Sequence, residues 1–375
     1  MMFYFDLALF NASKRIKFLN DGVLILMKKL INPIKEKKFI IVFIAAVLFV
    51  GIVLTVIHFQ RNDIINESIY KAVQFLQNNQ NEDGSITLND DETFKVWDTA
   101  NSLLALRIGK GSKEAIARAE NFLLSVQKSD GSFPFGTLSN TSCMETTAVA
   151  LMALKSKEAK EKIVLYILKN QNPSGFWEIE YKWIPREERK FPSVTGFVLS
   201  ALGYAGYKKD NHAEKGIKYL LTSQKNDGSW GSTSMAYDTP LYPIYINVFA
   251  LQIYKGSGTE KAIEKAVNFT KKNKKADFWN ITDPSTPDNP SPYLITALAL
   301  NILLEGGEDP TQPSIQKAVQ WLIQHQRKDG SWYGGYFVLP HGKVYQDIFA
   351  TSMSILALKR YQLALQGRKP PFFTD

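Results

Sequence analysis

Hydrophobic residues recur at helical spacing along most of the chain, in segments of two kinds that alternate. One kind is rich in charges and has a single apolar stripe, as in residues 66–80, where Ile69, Val73 and Leu76 share one face. The other kind is mostly apolar and contains many small residues, as in residues 98–107 (DTANSLLALR). Because small residues allow close helix packing, we predict that the second kind forms inner helices and the first kind outer helices.

A short repeated phrase follows each outer segment: a glutamine, three residues, a glycine, one residue and an aromatic. It recurs six times, at intervals of 44 to 53 residues. Its anchor and aromatic residues are Gln127 and Phe133, Gln171 and Trp177, Gln224 and Trp230, Gln326 and Trp332, with two degraded copies at Gln80 (which lacks the aromatic) and Trp279 (which has Asn273 as anchor). A period near 50 residues predicts six helical hairpins.

These hairpins are predicted to close into an (α/α)6 barrel, with an open superhelix as the alternative. The glutamine is expected to serve carbonyls at the end of the outer helix, and the glycine to turn the chain. The aromatic is expected to clamp neighbouring hairpins, and the alternative is that it stacks on sugars. The clamp should be weakest at Gln80 and Asn273.

One stretch differs from the repeats. Residues 39–59 contain no Asp, Glu, Lys or Arg, and a 21-residue helix can cross a bilayer core of roughly 30 Å. Residues 1–38 carry eight basic and three acidic residues, which places the N-terminus in the cytoplasm. We therefore predict a basic cytoplasmic segment (1–38), a single-pass membrane anchor (39–59), an extracytoplasmic toroid (62–362) and a C-terminal tail (363–375).

Charge and cysteine content exclude several kinds of site. The N-terminal flank supplies five of the nine net positive charges, so the basic balance reflects topology and no nucleic-acid partner is predicted. Cys143 is the only cysteine, which rules out an intramolecular disulfide. No metal site and no cofactor are predicted.

The phrase, combined with the inner segment Asp98-Thr99-Ala100-x-x-Leu-x-Ala-Leu, resembles the repeat of squalene–hopene and oxidosqualene cyclases, and more distantly the β-subunits of protein prenyltransferases. The resemblance covers about residues 64–362. It implies an all-α (α/α)6 toroid, here preceded by one transmembrane helix, and a hydrophobic isoprenoid-like substrate held in the central cavity.

The resemblance also indicates where an acid should lie. Bacterial cyclases of this family protonate their substrate from the middle Asp of a D-x-D-D-T-A segment. In the first repeat that position is Trp97 and only the last acid, Asp98, is present, whereas in the second repeat the position is Glu145. The zinc-binding Asp-x-Cys pair of the prenyltransferases is absent, since Thr141 precedes Cys143 by two residues.

Asp98 and Glu145 are therefore the candidate catalytic residues. Candidate substrate-binding residues at the starts of the inner helices are Trp97, Thr146, Thr195, Tyr242, Tyr245, Tyr293, Tyr345 and Asp347, with Ser193 beside them. Structural interpretations stay open for each: Asp98 as a helix cap, Glu145 as a partner of the helix dipole, and the aromatics as core.

Three functions are compatible with these residues. The first is a membrane-anchored protein that binds, and as an enzyme cyclises or transfers, an isoprenoid-like molecule. The second is a non-catalytic cell-surface toroid that binds a ligand. The third is a carbohydrate-active enzyme that uses Asp98 and Glu145 as its carboxylate pair. The sequence leaves open the ligand, the oligomeric state and whether the protein is an enzyme.

Overall fold

The computed structural model describes residues 36–180, 185, 189–231, 239–281, 289–339 and 342–373, and only the backbone for 36–42, 44, 50–61 and 339. The chain divides into two units, Met1–Asp63 and Ile64–Asp375. The second unit contains all of the repeats, and the fold and the candidate site below concern this unit.

Most side chains of the predicted membrane span lie outside the described residues. Residues 1–35 fall outside the described residues, as do most side chains of residues 39–59, whose backbone belongs to the long helix α1 (Glu36–Asn78). Among the described residues, no helix combines the length and the apolar character needed to cross a membrane. The span, its orientation and the location of the toroid stay predictions.

Helices of two kinds alternate along the second unit, as the hydrophobic pattern predicts. The outer helices are the end of α1, α3 (Lys113–Val126), α5 (Lys157–Lys169), α7 (Asn211–Ser223), α9 (Thr259–Lys272) and α11 (Pro313–Gln324). The inner helices are α2 (Lys95–Gly109), α4 (Met144–Ala153), α6 (Pro192–Tyr204), α8 (Leu241–Ile253), α10 (Pro292–Glu305) and α12 (Asp347–Leu365). Two short antiparallel strands, β1 (Tyr336–Leu339) and β2 (Gly342–Tyr345), precede α12.

The inner helices form a closed ring. Each packs against the next one along the chain, and α12 returns to pack against α2. Every residue of α4 is buried, whereas α5 buries only a stripe of Ala159, Ile163 and Ile167. The prediction of an (α/α)6 toroid is confirmed, and the open superhelix is wrong.

The repeated glutamine joins neighbouring hairpins. Gln224 Nε2 donates to Gly228 O, in its own turn, at 3.0 Å and to Ala262 O, on the next outer helix, at 2.8 Å. The expected partner, the end of the same helix, is therefore wrong. Equivalent pairs of bonds are made by Gln80 to Gly84 and Ala115, Gln127 to Gly131 and Ala159, Gln171 to Gly175 and His212, and Gln326 to Gly330 and Ser68.

The last of these pairs fastens the end of the toroid to its beginning. Gln326 and Ser68 are 258 residues apart, and Nε2 of Gln326 reaches Ser68 O at 2.9 Å. Gly330 has a φ of 94°, and a Cβ there would overlap the carbonyl oxygen of Lys71 on α1. Only glycine therefore allows the turn to lie this close to the first outer helix.

The two degraded copies differ. Gln80 makes both hydrogen bonds, at 3.0 and 2.9 Å. The prediction of a weak clamp there is therefore wrong. The side-chain amide of the glutamine joins the two hairpins, and the missing aromatic does not affect these two bonds. At the other copy the prediction is confirmed, because the shorter side chain of Asn273 donates back to Phe269 O within its own helix at 2.8 Å.

The aromatic residue of the phrase packs in the core and supplies a hydrogen-bond donor to the end of the outer helix. Trp332 is fully buried, and its Nε1 donates to Leu322 O near the end of α11 at 2.7 Å. Its backbone N–H donates to the hydroxyl of Thr351 on the following inner helix. Phe133, Trp177 and Trp279 are also fully buried, and Trp230 is 5% exposed. Stacking of these rings on sugars is therefore wrong, since none of them has an accessible face.

The C-terminal residues belong to the toroid. Helix α12 continues to Leu365, past the predicted domain end at residue 362. The chain then turns back, so that Phe372 is 2% exposed and donates its N–H to Glu305 Oε1 at 3.2 Å. Phe372 and Phe373 of the predicted tail therefore contact the inner helices α10 and α12.

Candidate functional site

Four aromatic side chains from four inner helices meet inside the ring. Trp97 lies 5.8 Å from Phe197 and 5.6 Å from Phe349, measured between ring centroids. Tyr242 lies 5.8 Å from Phe197 and 6.3 Å from Phe349. None of the four is more than 2% exposed. We call Trp97, Phe197, Tyr242 and Phe349 the aromatic cluster, and it gives the interior of the ring an apolar, electron-rich wall.

Glu145 lies in the first turn of α4 and is only 6% exposed. Ser193, at the start of α6, donates its hydroxyl to Glu145 Oε1 at 3.1 Å. Burial raises the pKa of Glu145 to about 7, and the charge of Glu180 acts in the same direction. A large fraction of Glu145 is therefore a neutral acid at neutral pH, able to donate a proton.

Glu180 is a second acid, partly buried, which the sequence did not identify. It accepts the N–H of Met144 at Oε2 and the hydroxyl of Tyr166 at Oε1, both at 2.7 Å. Burial raises its pKa to about 7, and the two hydrogen bonds oppose that shift. No motif in the neighbouring sequence identifies Glu180 in the loop that follows Trp177, because only tertiary packing brings its side chain to the start of α4.

Cys143 directly precedes α4. It is buried, and burial together with Glu145 and Glu180 raises the pKa of its thiol to about 12, so it stays protonated. Thr146 is fully buried beside it. Across the described segments, no group of three or more His, Cys, Asp or Glu side chains is arranged to hold a metal ion.

Asp98 is buried but does not cap a helix. Helix α2 begins at Lys95, three residues earlier, so the predicted capping role is wrong. Its Oδ1 has no hydrogen-bond partner, and Oδ2 accepts only a long bond of 3.5 Å from Thr87. Burial, reinforced by the charges of Asp91 and Asp347, raises the pKa of Asp98 well above its ordinary value.

Asp98 and Glu145 have different neighbours. The charges of Asp91 and Asp347 act on the carboxyl of Asp98. Ser193 and Glu180 act on the carboxyl of Glu145. The use of these two residues as the carboxylate pair of a carbohydrate-active enzyme stays a prediction.

Asp347 has an ionic partner of its own. Its Oδ2 lies 2.6 Å from Arg327 Nη1, and its Oδ1 accepts the N–H of Gly334 at 2.9 Å. Burial raises its pKa, while these two contacts oppose the shift. The side chain therefore fixes the strand segment before α12.

The other predicted binding residues do not join the aromatic cluster. Tyr245 faces Arg360, Tyr293 stacks on Trp321 of α11, and Tyr345 lies on β2 and is 45% exposed. The hydroxyl of Thr195 accepts the N–H of Trp177, so it holds the repeat together. These residues therefore have different neighbours in the structure, and their role in binding a substrate stays a prediction. The inner helices begin at different points relative to the phrase, so equivalent residues face different neighbours.

A cavity of about 300 Å³ lies in another part of the toroid, and it contains none of the predicted site residues. It is lined by Asn66, Ile69, Tyr70, Val73, Gln74, Gln77, Gly109, Lys110, Ser112 and Lys359.

Glu145 and the partly buried Glu180 are expected to make the toroid less stable as the pH rises. Both carboxyls have a pKa of about 7 in the folded chain, against an ordinary value of 4.5. Below that ordinary value both folded and unfolded chains are protonated and the stabilising contribution is complete. It is lost as the pH rises to about 7, because the unfolded chain ionises first. Urea unfolding between these pH values measures the slope, and the double variant Glu145→Gln/Glu180→Gln should flatten it. An unchanged slope would contradict this assignment.

Comparison with known proteins identifies the family. Residues 10–176 and 143–369 match the prenyltransferase alpha-alpha toroid domain. The chain belongs to this family. The resemblance seen in the sequence is thereby confirmed, and the protein is a terpene-cyclase-like α/α toroid.

The relatives of this toroid protein are cyclases of terpenes. It is 27% identical over 142 residues to drimenyl diphosphate synthase of Streptomyces showdoensis, covering 36% of this chain and 26% of that one. It is 25% identical over 248 residues to squalene–hopene cyclase of Bradyrhizobium diazoefficiens, covering 59% and 30%. The toroid protein thus spans less than a third of the length of these relatives.

Solved structures show the same fold. A type II terpene cyclase from Scytonema, in complex with geranylgeranyl dihydroxybenzoate, superposes with a TM-score of 0.67 at 17% identity, covering 82% of this chain and 99% of that one. An α-1,6-mannanase of Salegentibacter superposes with a TM-score of 0.54 at 11% identity, covering 80% and 99%. At these identities the likeness concerns the fold alone.

Proposed function

We propose that the toroid binds a linear isoprenoid-like molecule against the aromatic cluster and cyclises it, with Glu145 as the acid. One observation carries the proposal: Glu145 is a buried carboxyl, with a pKa of about 7 that leaves about half of it protonated at neutral pH, on the inner helix next to the one that holds Trp97. The relatives supply the class of substrate, since their names are those of terpene cyclases.

The reaction follows from these groups. Glu145 donates its proton to a terminal carbon–carbon double bond, which becomes a tertiary carbocation. The next double bond of the chain attacks that cation and closes a ring. The final cation loses a proton to water or adds water, and the Glu145 carboxylate regains a proton. The faces of Trp97, Phe197 and Phe349 stabilise the positive charge as it moves.

A second candidate function is non-catalytic binding of the same class of molecule. It is favoured by the mutual contact of the four rings of the aromatic cluster, which pack against each other with at most 2% exposure. A ligand must separate these rings to enter. A binding protein needs only this change, whereas an enzyme must also bring the ligand's double bond to Glu145.

Membrane attachment is part of the proposal. Residues 39–59 are proposed as a single-pass anchor in the cell membrane, with the N-terminus in the cytoplasm and the toroid outside. The charge-free run and its basic flank support this topology. An apolar substrate dissolved in the bilayer would then be close to the toroid.

Glu145→Gln tests the catalytic role. The full chain in detergent is incubated with linear polyprenols and squalene, and products are identified by mass spectrometry. The variant should lose about 10²–10⁴-fold in turnover, because glutamine cannot donate the proton. The free energy of unfolding should change by less than about 1 kcal/mol, since the amide fits the same space.

Asp98→Asn is the comparison variant, because it alters the other buried acid in the same way. Loss of turnover in Asp98→Asn together with full turnover in Glu145→Gln would overturn the assignment. Ligand bound by both variants and by the natural chain, without any conversion, would favour the non-catalytic function.

A further inference from the structure

The cavity of about 300 Å³ lies where the ring of hairpins closes. Its lining comes from α1, from the turn between α2 and α3, and from α12. At this closure Gln362 on α12 donates its Nε2 to Oδ1 of Asn66 on α1 at 2.8 Å, across 296 residues of sequence. Small-molecule sites have volumes of about 300–1,000 Å³. The cavity can therefore hold a small ligand that contacts both the first outer helix and the last inner helix.

Positive charge without negative charge distinguishes this cavity. Lys110, directly after α2, and Lys359, on α12, both line it. Among the described residues of the lining, none is an Asp or a Glu. Glu67 adjoins the lining on α1, but its carboxylate is engaged by Lys71 at 2.6 Å. The two lysines thus face a common space that holds no carboxylate of the described chain.

The environment of Lys359 is unfavourable to its own charge. Its Nζ donates to Gln362 Oε1, a neutral acceptor, at 3.0 Å. Burial lowers the pKa of Lys359, and the positive charge of Lys110 acts in the same direction. A bound anion would offset both effects, because it would supply the negative charge that the two ammonium groups lack.

Helix geometry alone does not explain the two lysines. A cation directly after a helix is stabilised by the partial negative charge of the last carbonyls, which would account for Lys110. Lys359, however, lies more than one turn before the end of α12 at Leu365. The φ of Lys110 is 64°, a left-handed conformation that glycine adopts far more easily after a helix. A binding role for the side chain would offset that backbone cost.

Two amides of the lining have their acceptor atoms occupied. The Oδ1 of Asn66 accepts from Gln362. The Oε1 of Gln77 accepts the backbone N–H of Ser112 at 2.7 Å. The remaining polar atom of each side chain is an amide nitrogen, which only donates. Together with the two ammonium groups, these donors match a ligand that is negatively charged and rich in acceptor oxygens.

We propose that this cavity binds a phosphate group, held by Lys110 and Lys359, either as free phosphate or as the terminal phosphate of a lipid. A phosphate ester carries about 1.5 to 2 negative charges at neutral pH and several acceptor oxygens, which suits two lysines, whereas a carboxylate carries a single charge. Ile69 and Val73 give the cavity an apolar wall, which could contact the carbon chain of an ester.

This site is separate from the aromatic cluster. Trp97 lies in the first turn of α2, whereas Gly109, which lines the cavity, is the last residue of that helix. The cavity shares no residue with the aromatic cluster or with Glu145. The proposal therefore does not depend on cyclisation, and each can fail without the other.

Lysine labelling measures occupancy in the natural chain. The full chain in detergent is acetylated briefly, with or without sodium phosphate at constant ionic strength, and the modified lysines are identified by mass spectrometry. Phosphate at ten times its Kd should slow modification of Lys110 and Lys359 by about tenfold, because only the free fraction reacts. Lys218, an exposed lysine on α7, should react as before. Unchanged labelling of the two cavity lysines, or equal slowing of all three, would overturn the site.

Two variants test the lysines by calorimetric titration with phosphate. Lys110→Gly removes the side chain and suits the left-handed backbone, so the toroid should stay folded. Lys359→Gln removes the second charge. Each should weaken phosphate binding by about tenfold or more, as expected for the loss of a charge-assisted hydrogen bond. Lys218→Gln is the matched control and should bind like the natural chain. Equal affinity in Lys110→Gly and the natural chain would overturn the proposal, whether or not Lys359→Gln folds.

Two ligands distinguish the sources of the phosphate group. Inorganic phosphate is compared with dihexanoyl phosphatidic acid, a short-chain lipid that ends in the same group. At least tenfold tighter binding of the lipid would identify a lipid headgroup, and equal or weaker binding would identify free phosphate. Dihexanoyl phosphatidylcholine, whose phosphate is covered by choline, should not protect the lysines. Failure of both phosphate and phosphatidic acid to bind would overturn the proposal, even if the chain cyclises a polyprenol.

Discussion

Replacing Trp332 with alanine is expected to lower the free energy of unfolding by about 3–5 kcal/mol. The side chain is fully buried, and its Nε1 supplies a partner for Leu322 O at the end of α11. The variant loses the packing of the ring and leaves that carbonyl without its donor. The effect should be large for this copy, because the turn that Trp332 follows also fastens the last hairpin to the first through Gln326 and Ser68.

Trp321→Ala is the matched control, because it removes a partly exposed tryptophan from α11, the helix to which Trp332 donates, where Trp321 stacks on Phe278 at 4.7 Å. Urea unfolding of the full chain in detergent, followed by circular dichroism, measures both variants. We expect the loss for Trp321→Ala to be less than half of that for Trp332→Ala. Equal losses would show that the buried position of the repeated aromatic has no special role in the stability of the hairpin.

Arg360→Leu is expected to destabilise the toroid by about 3–5 kcal/mol. Arg360 Nε donates to Glu305 Oε2 at 2.8 Å, and both side chains are only 2% exposed. Nη1 donates to Asn301 Oδ1 at 2.6 Å. Leucine has a similar hydrophobic stem but leaves Glu305 buried without its cation, and the free energy of burying that charge accounts for the loss.

The double variant Arg360→Leu/Glu305→Leu should recover most of this stability, because it removes the second charge as well. A double-mutant cycle by urea unfolding measures the coupling energy. If Arg360→Leu and the double variant were equally unstable, the loss would come from packing around Tyr245 and Phe249 rather than from the unpaired carboxylate.

The architecture could be predicted from the sequence because it is encoded in local periodicity. Each hairpin carries its own outer and inner helix, and the Gln326–Ser68 bond across 258 residues repeats the contact made between consecutive hairpins. The period near 50 residues and the count of six together therefore favoured closure. The role of the glutamine was predicted less well, since its second bond goes to the next helix rather than to its own.

The candidate site was predicted only in part, because it depends on side-chain direction and tertiary contact. Tyr242 and Tyr245 are three residues apart on α8, yet the first joins Trp97 in the aromatic cluster and the second faces Arg360. Glu180 was missed because it follows the repeat in an irregular loop. Its partners, Met144 and Tyr166, are 36 and 14 residues away in sequence.

Incorporation of solvent deuterium into product tests the central claim most directly. The full chain is incubated with a linear polyprenol in D2O, and the product is analysed by mass spectrometry. Proton donation from Glu145 predicts a cyclic product with one solvent-derived deuterium on the ring carbon next to the one at which ring closure began, and no such product from Glu145→Gln. A cyclic product that carries no deuterium, or the recovery of bound but unchanged polyprenol from the natural chain, would contradict the account.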